Sequence, residues 1–290
     1  MFYLVDKPIG PSSNQTLNHI RRHFGTDKAG HSGTLDPLAS GLLIVATNGS
    51  TKLLSMLETQ SKWYQFTFDI TRTSESLDLG TPTHTLPQNH QIYHYQPTQV
   101  DVENIIPSFM GIMRQVPPKY SAISLDGKRA YREVRKGNTV ELPTREVEVL
   151  HLEILDYTFP HITLLTHISS GGYIRSLARD ISEALGGTGV VTELRRTKID
   201  TLSLNTDELV YTEPRPGELM GIREVGYDVV FPDIQRIDLS DEEFATVSHG
   251  HAIPRRDSIT SQKVFGYYKD EPLVLLREKL HTYAPLRFKI

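Results

Sequence analysis

The chain has 290 residues and a net charge of −4, and its length exceeds the usual size of one domain, so a large and a small domain are expected. It contains no cysteine, which excludes disulfides, thiolate metal sites and cysteine nucleophiles. No apolar run is long enough to cross a bilayer and the first residues read as a strand, not a signal peptide, so a soluble, cytoplasmic protein is expected.

In chain order, residues 2–5 read as a strand, and Ser12-Ser13-Asn14 caps a helix reaching Phe24 with Leu17 and Ile20 turned inward. Residues 30–41 form a glycine-bracketed loop that carries His31, Asp36 and Pro37. Proline disfavours helical backbone at the residue before it and offers no N–H, so Asp36 is expected in an extended loop. The residues alone leave two readings, an ordinary Asp-Pro turn and a presented nucleophile. Residues 42–46 are a continuous apolar strand, and residues 63–70 alternate at Tyr64, Phe66 and Phe68 as a half-buried strand does. Residues 73–99, rich in Ser, Thr, Pro, His and Gln, are expected to form a long surface connection.

Residues 100–109 fit a helix with its acids in the first turn, and residues 147–157 and 162–168 fit strands. The second of these runs into Ser169-Ser170-Gly171-Gly172 and then a helix with Ile174, Leu177, Ala178, Ile181 and Leu185 on one stripe, ended by Gly186-Gly187. This places Tyr173 and Arg175 at a helix start near a sheet edge. Residues 207–230 read as a tail of helix and loop. Residues 264–268 and 273–277 form a hairpin in a β-rich last segment.

The charge is uneven. Residues 114–136 hold seven Lys or Arg against two acids, whereas residues 200–243 hold twelve acids against three arginines. The acidic stretch hides the basic one in the total, and further basic clusters occur at Arg21-Arg22-His23, Arg195-Arg196 and Arg255-Arg256. A basic run is commonly a solvated face, but Tyr120 and Tyr131 within it add stacking faces suited to looped RNA. Of the twelve histidines, His84, His90 and His94 lie in a Thr/Pro/Gln-rich loop and His249 and His251 in a turn, where solvated rings are expected, and no metal site is expected.

Five blocks are similar to motifs of the tRNA pseudouridine synthases of the TruB type. They are Leu4-Val5-Asp6-Lys7-Pro8 with Ser12-Ser13-Asn14, the 30–41 loop, Lys62-Trp63-Tyr64, Gln115-Val116-Pro117-Pro118-Lys119-Tyr120 with Gly127-Lys128-Arg129-Ala130-Tyr131, and Gly171-Gly172-Tyr173-Ile174-Arg175 with Leu194-Arg195-Arg196. They keep their order from residue 4 to about 197. The resemblance implies an α+β pseudouridine-synthase fold with a large mixed, mainly antiparallel sheet and flanking helices in residues 1–230. An RNA-gripping insertion is implied at about 114–136, and a small β-rich, PUA-like module in residues 231–290. It implies isomerisation of uridine at position 55 in the T loop of tRNA by a monomer without cofactor or metal.

The same resemblance assigns Asp36 as nucleophile, Arg175 as its partner, and Tyr64 as the tyrosine stacked on the target base. His31 would fill the vacancy of the flipped base, Tyr173 and Leu194 would line the base pocket, and Lys128, Arg129, Arg132 and Lys136 would contact phosphates. Lys7-Pro8 would pack beneath the catalytic loop. Ser74-Glu75-Ser76-Leu77-Asp78 departs from the family pattern, and no role is carried over to it. Each of these residues also has a plainer reading: a core tyrosine, a surface salt bridge, a bystander histidine. A guide-RNA-dependent synthase and a non-catalytic tRNA-binding or folding protein are the rival functions.

Overall fold

The first helix is set by its own ends. Ser12 accepts from the Gln15 N–H at 3.2 Å while the Gln15 side chain accepts from the Ser12 N–H at 2.8 Å, a reciprocal cap that starts α1 (Ser13–His23) where the sequence placed it. The computed structural model describes residues 1–121, 124–125, 128–138, 140, 142–215 and 218–288. Its strands in chain order are β1 (Phe2–Lys7), β2 (Ala29–Ser32), β3 (Ala39–Thr47), β4 (Lys62–Asp69), β5 (Arg72–Ser74), β6 (Thr83–Thr85), β7 (Gly111–Gln115), β8 (Ser124–Leu125), β9 (Lys128–Arg129), β10 (Arg145–Thr158), β11 (His161–Ile168), β12 (Val190–Ile199) and β13 (Leu202–Ser203). These are followed by β14 (Val210–Arg215), β15 (Glu218–Val225), β16 (Gln235–Asp238), β17 (Ile253–Pro254), β18 (Lys263–Tyr268), β19 (Glu271–Lys279) and β20 (Thr282–Phe288). The helices after α1 are α2 (Gln91–Tyr95), α3 (Gln99–Ile105), α4 (Ala130–Arg135), α5 (Ile174–Ala184), α6 (Tyr227–Val230) and α7 (Asp241–Ser248).

Contacts divide the chain into two units that do not follow chain order. One holds residues 1–35, 43–58 and 204–290, the other residues 36–42 and 59–203. In the first unit the strands run β14-β15-β1-β3 with β2 on β3, and Tyr3, Val5, Ile20, Leu43, Val45, Met220 and Ile222 make one core. Residues 207–230 therefore differ from the expected helix and loop. They form the β14–β15 hairpin, and β15 pairs antiparallel with β1. Met220 and Ile222, two residues apart on β15, turn the same face into this core, a period-2 signal masked by the prolines at 214 and 216.

The C-terminal sheet of this unit runs β16-β18-β19-β20-β17 around Ile237, Val247, Val264, Val274, Leu276 and Tyr283. Its β18–β19 turn carries Lys269 and Asp270 at φ 53° and 64°, the left-handed pair of a tight hairpin. Edge-to-face rings join it to the rest of the unit: Phe265 meets Tyr227 at 5.3 Å, and Tyr227 meets Phe2 at 5.3 Å.

In the second unit the order is β3-β12-β4-β11-β10-β7, with one parallel pair, β3 on β12, and antiparallel pairs elsewhere. The fold class is therefore α+β with a mixed, mainly antiparallel sheet and a β-rich C-terminal sheet. The parallel pair depends on Gly41, whose φ is +98° and where a Cβ would stand 2.2 Å from the Arg196 carbonyl oxygen. Tyr64, Phe66 and Phe68 point inward from β4, as the alternation requires. α5 packs Ile174, Leu177, Ala178 and Ile181 into the same core. The 73–99 connection is less open than its composition suggests. It begins with the β5–β6 hairpin, in which Ser74, Ser76 and Asp78 are buried because both serine hydroxyls donate to the Asp78 carbonyl.

Candidate active site

Asp36 sits between β2 and β3 in a segment fixed from behind. The Ser13 hydroxyl donates to the Leu35 carbonyl at 3.0 Å and accepts from the Leu35 N–H at 2.8 Å, so the residue before Asp36 is tied to the start of α1. The Ala39 N–H closes a turn on the Asp36 carbonyl at 3.0 Å. Lys7 is fully buried and donates to the carbonyls of Pro8 and Pro11 at 2.8 and 2.7 Å, a structural use of its ammonium at the β1 end.

The Asp36 carboxylate meets a guanidinium that has almost no freedom. Arg175 Nε lies 3.0 Å from Asp36 Oδ2, while Nη1 donates to the Ser76 carbonyl at 2.6 Å and Nη2 to the Tyr120 carbonyl at 2.9 Å. The Arg175 side chain is 5% exposed and that of Asp36 37%, so the cation is held inside and the acid faces out. A planar fork bound to two carbonyls can present its remaining edge in only one orientation. The backbone supplies this placement. β11 ends at Ile168, Gly171 turns at φ +86°, and a Cβ on Gly172 would strike the Ile168 side chain at 2.3 Å, so α5 starts close against the strand with Arg175 in its first turn.

A second carboxylate, which the sequence reading passed over, shares the cation. Asp78 Oδ2 lies 3.6 Å from Arg175 Nε, and Asp78 Oδ1 accepts from the Gly80 N–H at 2.9 Å. Asp36, Asp78, Arg175, Ala39, Val191 and Leu194 line one small pocket with about 10 Å³ of room, roughly one water. A pyrimidine ring needs side chains or the loop to move before it can enter.

Of the expected residues, the structure thus brings Asp36, Arg175 and Leu194 together. Leu194 on β12 lies opposite Ala39 of β3 and Phe66 of β4. Tyr64 is buried on β4, between Thr166 of β11 and Arg196 of β12, and does not line this pocket. Tyr173 caps α5, and its hydroxyl is pushed above the usual phenol range by burial, with Asp36 adding to the rise and Arg145, Ser121 and Arg175 opposing it. Its backbone is gripped by Gln115, another residue the sequence reading gave no role: Gln115 Oε1 accepts from the Tyr173 N–H at 2.9 Å and Nε2 donates to its carbonyl at 3.2 Å.

His31 is on β2, opposite Val45 of β3, and belongs to the first unit, so it is a strand residue and not a loop one. Lys128 and Arg129 fall on the short strand β9, and their side chains, like that of Arg132, lie outside the described residues. Lys136 pairs with Glu133 at 2.9 Å. Among the described residues, no three His, Asp or Glu side chains gather as a metal site would require, and no helix is long and apolar enough to cross a membrane.

With this geometry in view, comparison with known proteins is specific. A family model described as TruB family pseudouridylate synthase (N terminal domain) matches residues 21–174. The chain is 36% identical over 257 residues to tRNA pseudouridine synthase B of Caulobacter vibrioides, covering 86% of this chain and 79% of that protein. It is 41% identical over 198 residues to tRNA pseudouridine synthase B of Brucella canis, covering 68% of this chain and 59% of that protein. Among solved structures, a Cbf5-Nop10-Gar1 complex aligns with TM-score 0.63 at 22% identity over 99% of this chain and 84% of that one. An H/ACA RNP bound to a substrate RNA containing 2′-deoxyuridine aligns with TM-score 0.62 at 21% identity, again over 99% and 84%. At these identities the structural likeness establishes the fold, which is the one the sequence motifs implied.

Proposed function

Since the chain belongs to the TruB family of pseudouridylate synthases, we propose that it isomerises uridine to pseudouridine at position 55 in the T loop of tRNA, as a cytoplasmic monomer. The reaction breaks the bond from uracil N1 to ribose C1′ and joins C5 to C1′, losing a proton from C5 and gaining one at N1. Atoms balance without a redox partner, so a nucleophile, a pocket and a proton acceptor suffice.

Asp36 is the nucleophile. The observation that carries this assignment is its 3.0 Å contact with a buried, fully engaged Arg175 on the wall of a pocket. The carboxylate adds to C1′ of the ribose or to C6 of the ring, and either route starts from the same oxygen atoms. Arg175 is its positioning partner. Leu194 and Tyr173 bound the base, and Tyr64, which lies outside the small pocket, stacks on it and takes part in removal of the C5 proton once the ring has entered. Extrusion of a stacked nucleotide costs a few kcal/mol, and His31 offsets this by stacking in the vacated place, worth about 1–3 kcal/mol. The basic residues 114–136, with Lys128 and Arg129, close on the phosphates. Residues 1–230 carry the chemistry, and residues 231–290 are the small β-rich, PUA-like module.

The test is incubation with an unmodified tRNA transcript followed by carbodiimide mapping of the product. Modification at position 55 by the wild type, with Asp36→Asn giving no detectable product yet retaining RNA affinity within about threefold, is expected. Product at another nucleotide overturns the positional assignment. Joint loss of product and binding in the variant makes Asp36 structural.

A further inference from the structure

Outside the site, positive charge gathers at the C-terminal end of α1, in Arg21 and Arg22. We propose that the groove there is a phosphodiester-binding site for the RNA substrate, with Arg21 and Arg22 as its phosphate contacts; this rests on the reading that the chain acts on RNA. Asn18, Arg21 and Arg22 stand at i, i+3 and i+4 on one helix face, and the turn through Gly25, Thr26 and Asp27 forms the facing wall. The groove between them has a volume of about 550 Å³ and is open to solvent, not an enclosed cavity.

The wall is set before any ligand arrives. Gly25 turns at φ +59°, the Thr26 N–H returns to the Arg21 carbonyl at 3.0 Å, and the Thr26 hydroxyl lies 2.9 Å from Asn48 Oδ1 and 3.2 Å from the Lys28 carbonyl. The plainer account of two arginines here is that they complement the helix dipole. That dipole amounts to about half a negative charge, and the carbonyls of Ile20, Arg21 and Arg22 already accept backbone N–H groups, so two full charges exceed what the end requires.

The arginines also lack protein acceptors. Among the described residues no carboxylate pairs with either, and Arg21 Nε is shielded from solvent with no acceptor in reach. A buried donor left this way is costly unless an acceptor comes from outside the chain. Asp27 is the one acid in the lining. Residues 18–28 hold Arg21, Arg22 and Lys28 against it, so the local field attracts an anion. Guanidinium forks match phosphate oxygens two at a time.

The experiment compares full-length wild type with Arg21→Gln/Arg22→Gln in binding an unmodified tRNA transcript at rising salt. Each phosphate contact adds about 0.7–0.9 to the slope of log affinity against log salt, so the double variant should lose about 1.4–1.8 of it. Its deficit against wild type should then shrink about tenfold between about 50 and 200 mM salt. The single-turnover rate at saturating RNA should stay unchanged, and Arg21→Lys/Arg22→Lys should recover most of the slope. Hydrogen exchange on the wild type adds a reading that needs no variant: amides 24–28 should be slowed by RNA. An unchanged slope, or no added protection of those amides, overturns the proposal while leaving the enzymatic reading intact. A wild type that neither binds nor modifies the transcript overturns both.

Discussion

Arg175 carries one positive charge between two carboxylates, and the distances decide which it serves. Asp36 lies at 3.0 Å and Asp78 at 3.6 Å, with Asp78 the more buried of the two, at 13% side-chain exposure against 37%. Asp78 thus draws on the same guanidinium without displacing Asp36 from it. Neutralising Asp78 as Asn keeps its volume and its acceptor for Gly80, but gives Arg175 wholly to Asp36. On the proposal that Asp36 is the nucleophile, its carboxylate is then held more tightly in the resting state than at the moment of attack, which lowers turnover. Asp78→Asn is expected to cut the single-turnover rate by about ten- to a hundredfold with RNA affinity unchanged, as small changes in reactant placement do. Stopped-time product assays beside filter binding check this, and a rate equal to wild type would show that Arg175 does not depend on its second acid.

At the scale of elements, the start of α5 and the end of β7 are one assembly. Gln115 is 1% exposed and takes both backbone groups of Tyr173, while Ser176 Oγ donates to the Val116 carbonyl at 2.7 Å and Arg175 reaches the Tyr120 carbonyl. The strand that leads into the basic insertion is therefore fastened, bond by bond, to the helix that carries Arg175. Gln115→Ala leaves the Tyr173 N–H without its partner, while the Tyr173 carbonyl keeps the Leu177 N–H at 3.0 Å, so the one unsatisfied group should destabilise the fold by about 1–3 kcal/mol. Thermal unfolding should show this as a midpoint a few degrees lower, and an unchanged midpoint would mean another group takes over the bond to the Tyr173 N–H.

This assembly also marks where sequence reasoning stops. α1, β4 and α5 were legible because a cap or an apolar period announces each within a dozen residues. Glycine and proline made the Asp36 loop legible as a loop, but the assignment of Asp36 as nucleophile came from the family resemblance and not from the local residues. β12 was missed as a strand because Arg195-Arg196-Thr197-Lys198 looks like surface. In the fold, Arg196 is 1% exposed and its Nε donates to the Leu42 carbonyl at 2.7 Å. Asp78 and Gln115 were missed for a related reason. Their partners, Arg175 and the Tyr173 backbone, lie far along the chain, and no local spacing reports a contact closed by tertiary structure.

For the whole molecule, acid sensitivity follows from two histidines that the fold keeps neutral. His19 on α1 and His167 on β11 both titrate below the ordinary value of 6.5, in each case chiefly because burial disfavours the charged ring. For His19 the neighbours His23 and Arg22 add to the lowering; for His167 the Asp200 carboxylate opposes it while His151 and Lys198 add to it. His19 Nε2 lies 3.1 Å from Thr212 Oγ1, and His167 Nε2 lies 2.7 Å from Ser61 Oγ with its ring stacked on Trp63 at 4.6 Å. In the unfolded chain both rings take protons near pH 6.5, whereas in the folded chain they do so only at lower pH. Below pH 6.5 the unfolded state therefore binds more protons, so stability falls with pH from about 6.5 down to the lowered folded values and levels off beneath them. The two rings share no hydrogen-bond partner, so their effects should add. His19→Gln/His167→Gln retains amide groups for both hydroxyls and removes both titrations. The melting temperature of the wild type is expected to drop between about pH 7.5 and 5.5, a range above the carboxylates, and that of the double variant to drop less. Parallel curves for the two proteins would place the acid sensitivity elsewhere.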